Sequence, residues 1–268
     1  MDQRPDGTSR RPENLRGLKK TAMTQRPATH RRPSRLRLAT ALSAAGLTVG
    51  AALLFAGGPD PVSLDLVRVT LGDGKVLFVG RTEITVAEWS ACHADGGCTL
   101  DVRAAGKGQD YPATGISFVD AQEYITWINA RPGPQYRLPT KAEWYALADE
   151  VLPETLDPIF TAPELRWASA YLIEAPNVDR ALHATGGFST TSAGLRDLDG
   201  NVWEWTQDCY DGDSARFSTS SCPAFIMGGL HESVMFYLVR DPANGGCASG
   251  QPPSHLGFRL VTETRPEI

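Results

Sequence analysis

Apolar residues in this chain alternate first at period two and later at a helical period. From Val67 to Thr70, and again from Val76 to Val79, β-branched residues alternate on either side of Asp73-Gly74, which predicts a β-hairpin. Thr85 then reads as an N-cap. Glu88, three residues on, completes a capping box for a helix reaching about Cys92. Asp120 opens a second helix whose apolar face is Ala121, Tyr124, Ile125, Trp127 and Ile128, and Arg131-Pro132-Gly133-Pro134 stops it. Thr140 caps a third, from Lys141 to about Asp149, with Glu143 as its reciprocal partner. Beyond Pro153 frequent Gly, Pro, Ser and Asn leave room for short strands and little long regular structure. In one such strand, entered from the Gly200-Asn201 turn, Trp203 and Trp205 share a face and Glu204 points the other way. No internal repeat is present, so residues 59–268 read as one α+β domain with much irregular backbone.

Charge divides the chain. Residues 1–37 hold eleven of its 26 basic residues and only Asp2, Asp6 and Glu13 of its 31 acidic ones. The remainder therefore carries 15 basic and 28 acidic residues, a net of −13, which disfavours nucleic acid as a partner. Between Leu38 and Phe55 there is no charge at all. A basic flank before such a run is the pattern of a secretory signal or a membrane anchor, here assigned to residues 38–58 after a basic region of residues 1–37. Small residues Ala56-Gly57-Gly58 offer a cleavage point, and Met23 offers an alternative start with its own basic segment. Both alternatives export the acidic body, giving a periplasmic protein that meets the membrane only through residues 38–55.

All five cysteines lie in that body. Cys92 and Cys98 close a short Gly-rich loop, and Cys209 and Cys222 bracket a polar one. In an oxidising compartment such neighbours pair as disulfides. Zinc is the alternative, although neither spacing is that of a CxxC ligand pair. Cys247 is left over, as an inert buried thiol or a reactive one.

Five segments in order resemble one family. They are Phe78–Thr85, Pro112–Ala121, Arg137-Leu138-Pro139-Thr140-Lys141-Ala142-Glu143-Trp144, Gly194–Trp205 with its Gly-Asn-Val-Trp-Glu-Trp core, and the pair Gly228-Gly229 with Leu256-Gly257-Phe258-Arg259-Leu260. They resemble the formylglycine-generating enzyme, or sulfatase-modifying factor, family from about Val67 to Val261. The resemblance implies an α+β fold related to C-type lectins. It also implies the two disulfides, which resemble those of exported bacterial members.

Catalytic members carry two cysteines after the glycine pair. Those cysteines bind copper(I), whose softness suits thiolates, and oxidise a substrate cysteine to formylglycine. Here Ser233 and Leu238 fall at those positions, and neither can replace a thiolate. Copper is accordingly not expected, and Cys247 alone cannot restore the pair. His231, Glu232 and Ser233 are the polar residues left at that cleft. Joint metal ligation by His231 and Glu232 would need a bulge, because neighbours on a strand face opposite ways. A Ser233–His231 nucleophile pair lacks a visible orienting acid. The additional helical domain of iron-dependent relatives has no counterpart in this sequence.

The resemblance further implies structural calcium held by Asp197, Gly200, Val202 and Glu204, a mixture of carboxylate and carbonyl oxygens that suits a hard cation. A metal-free Glu204 bonded to backbone amides is the alternative. The resemblance places a second calcium site at Asn177 and Val178, but the loop that follows is shorter here and lacks the acidic partner expected within it. The function expected is an accessory module holding a peptide, glycan or protein. The alternative is a divergent periplasmic oxidoreductase or maturation enzyme acting on a peptide or protein.

Overall fold

A computed structural model describes residues 63–102, 108–154, 158–162, 165–174, 179–210, 222–248 and 253–265. The basic region, the apolar run at 38–58 and the pair Asn177 and Val178 lie outside them. Among the described residues no helix is long and apolar enough to cross a membrane.

Strands β1 (Leu66–Thr70) and β2 (Val76–Gly80) form the expected hairpin, with Arg68 opposite Phe78. Its turn uses Gly74 at φ 87°, and the Asp73 carboxylate accepts the Lys75 amide at 2.8 Å. Helix α1 (Val86–Ala94) starts at Thr85 with the full Thr85–Glu88 capping box. Helix α2 (Phe118–Asn129) corrects the sequence reading. Its N-cap is Ser117, and Asp120 is the reciprocal N3 partner rather than the residue that opens the helix. Serine satisfies the same exposed amides as aspartate, so a Ser-x-x-Asp pair can be entered at the wrong member. Helix α3 (Lys141–Ala148) begins at Thr140 with Glu143 as predicted. Helix α4 (Arg166–Glu174) departs from the expectation of little long regular structure: its nine residues lie between Pro163 and Pro176, which mask it.

Short strands follow: β3 (Trp203–Cys209), β4 (Ala224–Gly228), β5 (Ser233–Phe236), β6 (Cys247–Ala248), β7 (Leu256–Gly257) and β8 (Val261–Thr262). They build a five-stranded sheet in the order β6-β5-β4-β3-β7, in which only β3 and β7 run parallel. A three-stranded antiparallel sheet has the order β1-β2-β8. The segment from Leu256 to Thr262 thus lends a strand to each sheet. Trp89, Tyr124, Trp205 and Phe258 centre one hydrophobic core, and Leu77, Val79, Trp144 and Leu198 centre another. Disulfides join Cys92 to Cys98 and Cys209 to Cys222, as expected.

Charge stitches α3 to the smaller sheet. The nearly buried Glu143 carboxylate accepts two hydrogen bonds from Arg137 (2.7 and 2.8 Å), one from Lys75 (2.9 Å) and one from the Thr140 amide (2.8 Å). Burial opposes its ionisation, but Arg137, Lys75 and that amide prevail and hold its pKa at about 2. A depressed carboxylate pKa contributes stability that is complete above the unfolded value near 4.5 and is lost as pH falls towards 2. Glu143→Gln is therefore expected to cost about 2 kcal/mol at pH 7 and to give a shallower loss of stability between pH 4.5 and 2. Urea unfolding across that range, compared with the parent protein, checks both.

Candidate functional site

The Asp197–Asn201 turn places three acceptors on alternate residues. Asp197 and Asn201 adopt left-handed backbone conformations, with φ 63° and 65°, a region that short polar side chains tolerate best. The fully buried Asp197 carboxylate accepts the amides of Gly186 and Phe188, the latter at 2.8 Å. Asp199 accepts the Ser189 amide (3.1 Å) and hydroxyl (2.6 Å), and the Asn201 side-chain oxygen accepts the His183 amide at 3.0 Å. Together they fasten residues 183–189 onto the turn. Gly200 is required here, since a Cβ would lie 2.2 Å from the Phe188 ring.

From this turn β3 carries Trp205 into the larger core and Glu204 to the opposite face. Trp205 donates its indole N–H to the Ile116 carbonyl at 2.8 Å. Glu204 and Arg259 are both wholly buried and face each other. Oε1 of Glu204 accepts from Arg259 Nη2 (2.6 Å) and Nε (2.9 Å), and Oε2 from Arg259 Nε (2.7 Å) and Trp144 Nε1 (2.8 Å). The remaining guanidinium donors reach the carbonyls of Gly80, Arg81 and Arg196 at 3.2, 3.4 and 2.9 Å. Burial would lower the Arg259 pKa, but the attraction of Glu204 outweighs it and raises the value.

This geometry bears on calcium. Two donors already approach each Glu204 oxygen, and a guanidinium sits where a cation would feel its positive charge. Both Asp197 oxygens also accept amides. Among the described residues, no three His, Cys, Asp or Glu side chains gather to hold a metal ion. As arranged, Glu204 has no open acceptor site for calcium, whereas each Asp197 oxygen accepts a single amide. Glu83 lies in the same interior, 1% exposed, with neither carboxylate oxygen hydrogen-bonded. Burial pushes its pKa well above the usual range, Arg259 pulls it down, and the charges of Glu204 and Asp197 add to the rise.

The glycine pair closes β4 and opens the segment that carries His231, Glu232 and Ser233. A Cβ on Gly228 would stand 2.2 Å from Trp144 Cδ2, and one on Gly229 would stand 2.3 Å from Trp203 Cε3. The bare backbone lets one indole lie on each glycine. His231 packs edge-on against Trp203, with ring centroids 4.5 Å apart, while Glu232 pairs with Lys141 at the first turn of α3. Tyr145 lies beside Glu232 and Gly229. Burial raises its pKa, the Glu232 charge adds to this, and the Gly229 backbone opposes it. Ser233 is wholly buried, in register between Met227 of β4 and Ala248 of β6. Leu238 is 62% exposed, next to the exposed Phe236 and Tyr237.

Residues 68–264 match the family model described as "Sulfatase-modifying factor enzyme 1-like domain". The chain belongs to this family. A stretch of 108 residues, 38% of the chain, is 31% identical to "Inactive C-alpha-formylglycine-generating enzyme 2" of Bos taurus and covers 34% of that protein. Another of 176 residues, 59% of the chain, is 27% identical to the formylglycine-generating enzyme of the same species and covers 45% of it. The chain thus spans less than half the length of these relatives of the sulfatase-modifying factor family. Among solved structures, PvdO from Pseudomonas aeruginosa aligns at TM-score 0.45 and 20% identity, over 71% of this chain and 82% of that one. CarF aligns at TM-score 0.44 and 17% identity, over 76% and 99%.

Within this sulfatase-modifying factor domain, the roles of Arg259, Trp144, Glu83 and residues 183–189 emerge only from the fold. Arg259 and Trp144 stood inside quoted motifs, and the missing signal was that both motifs converge on Glu204.

Proposed function

We propose that this chain is an exported binding module that holds an extended polypeptide against the exposed Phe236–Leu238 segment and performs no copper chemistry. The observation that carries the reading is the state of the two positions corresponding to the copper cysteines. Ser233 is sealed within the sheet and Leu238 projects into solvent, so copper(I) is offered neither a thiolate nor a converging pair. With Phe236 and Tyr237, Leu238 forms an exposed apolar strip of the kind that polypeptide partners cover. That one mammalian relative carries "inactive" in its name agrees with a scaffold that outlives its reaction. Export rests on the basic flank and the uncharged run at 38–55, a pattern that supports a periplasmic module or one held at the membrane by a retained anchor.

Two measurements test this reading. Anaerobic loading of the full chain with copper(I), followed by desalting and metal analysis, is expected to leave less than stoichiometric copper. One tightly held copper per chain would overturn the proposal. Peptides selected from a displayed library are expected to lose about tenfold or more in affinity against Leu238→Glu. Selection of glycans alone, or affinity indifferent to Leu238, would also overturn it.

A second reading is favoured by the gathering of His231, Glu232 and Tyr145 beside Gly229. It is a divergent maturation enzyme acting on a peptide or protein. A mass change in a selected peptide, abolished by His231→Ala, would identify that case.

A further inference from the structure

The two disulfides occupy opposite environments. Cys92 is 0% and Cys98 2% exposed, within the larger core beside Trp89 and Trp127. The amides of Gly97 and Cys98 both turn back onto the Cys92 carbonyl, and a Cβ on Gly97 would lie 2.2 Å from the Trp127 ring. A thiolate cannot approach either sulfur without opening that core. Cys209 and Cys222 are each only partly buried. Their bond joins the last residue of β3 to the chain just before β4, at an irregular end of the pairing where the register shifts between Trp205 and Cys209.

That end borders the apolar strip. The Tyr210 amide donates to the Ala224 carbonyl (2.9 Å), Ala224 stands opposite Phe236, and the Tyr237 amide donates to the Pro223 carbonyl (3.2 Å). Tyr210, Phe236 and Tyr237 are all exposed. The chain at Pro223 and Ala224 thus bonds both to the segment leaving β3 and to the exposed aromatic residues.

We infer that Cys209–Cys222 is a reducible tie that sets the order of the Tyr210–Phe236–Tyr237 surface, while Cys92–Cys98 is a permanent staple of the core. The co-reactant is a dithiol. Its thiolate attacks one sulfur of the Cys209–Cys222 bond, forming a mixed disulfide and releasing the other cysteine as thiolate. The second thiol of the reductant, as thiolate, then displaces the remaining cysteine. Two electrons pass from the dithiol, which leaves as a cyclic disulfide, to the two cysteines. Each cysteine binds a proton according to its pKa. Access decides which bond reacts, and local opening at a strand end needs less free energy than opening the core.

The inference concerns order at the strand end and stands or falls apart from the polypeptide-binding reading. Its test uses the full chain carrying Cys247→Ser, which removes the fifth thiol and prevents reshuffling. Dithiothreitol is the probe, with timed alkylation and peptide mass mapping. Cys209 and Cys222 are expected to be labelled about 100-fold faster than Cys92 and Cys98. Hydrogen exchange on the selectively reduced protein is expected to quicken at the Tyr210 and Tyr237 amides while β1 and β2 stay protected. Simultaneous labelling of both pairs would show that only global unfolding exposes them and would overturn the inference. So would unchanged exchange at Tyr210 and Tyr237 after reduction. Cys209→Ser with Cys222→Ser, where it folds, should reproduce the fast exchange without reductant. The unsubstituted pair still decides the matter where that variant fails to fold.

Discussion

Arg259→Met is expected to cost about 3–5 kcal/mol, enough to lower Tm by about 10 °C in a domain of this size. The loss does not come from deleting an attraction alone. Methionine fills much of the space but leaves Glu204 fully buried with only the Trp144 N–H to face. It also strips donors from the carbonyls of Gly80, Arg81 and Arg196. An ionised carboxylate held in that position is the costly species. Adding Glu204→Gln should therefore recover part of the loss, because a neutral amide tolerates the interior better and can still meet Trp144. Calorimetry of the two single variants and the double variant measures this coupling. The same series addresses calcium. The parent protein is expected to keep its Tm in EDTA, since the guanidinium already neutralises Glu204. Calcium should stabilise only Arg259→Met. A clear fall in the parent Tm on chelation would show that the cation and Arg259 share the carboxylate after all.

Gly228→Ala is expected to lose about 3 kcal/mol, at the upper end of overpacking costs. A single methyl group would have to stand 2.2 Å from a carbon of the Trp144 indole. That ring cannot retreat freely. It is 1% exposed, stacks edge-on against Tyr145 at 5.0 Å, and donates its N–H to Glu204. The strain is thus passed directly to the buried ion pair. Chemical denaturation of Gly228→Ala checks the magnitude, and tryptophan fluorescence should report a displaced indole. A loss below 1 kcal/mol would mean that Trp144 is far less constrained than its contacts imply.

Local signals made much of this architecture legible. The Thr85–Glu88 and Thr140–Glu143 capping boxes and the Asp73-Gly74 hairpin depend on residues a few positions apart, and each formed as expected. Ser117 was missed in favour of Asp120 because two capping residues stood three apart and either could be entered first. Trp203, Glu204 and Trp205 alternated as a strand must. Glu204 showed how far that local logic reaches. Its direction followed from period two, but its partner lies 55 positions away and local pattern could not supply it. The same holds for Asp197 and the amides of Gly186 and Phe188. A carboxylate on a glycine turn suits a cation and a set of backbone amides equally well, and only the course of residues 183–189 distinguishes them. Ser233 and Leu238 were informative for a different reason. The chemistry of copper(I) excludes both side chains wherever the backbone places them.

The sharing of Leu256–Thr262 between the two sheets has a consequence for how the protein is made. β7 and β8 come last of all the strands in chain order, and each completes a sheet whose other members were synthesised far earlier. Arg259, between them, supplies the counter-charge for Glu204 only when this segment arrives. Until then a growing chain carries a buried-to-be carboxylate with no partner and two sheets each lacking an edge strand, and such non-local closure is slow. Closure of both sheets and pairing of Glu204 therefore hang on one short stretch of chain, and a break anywhere in Leu256–Thr262 would open both at once.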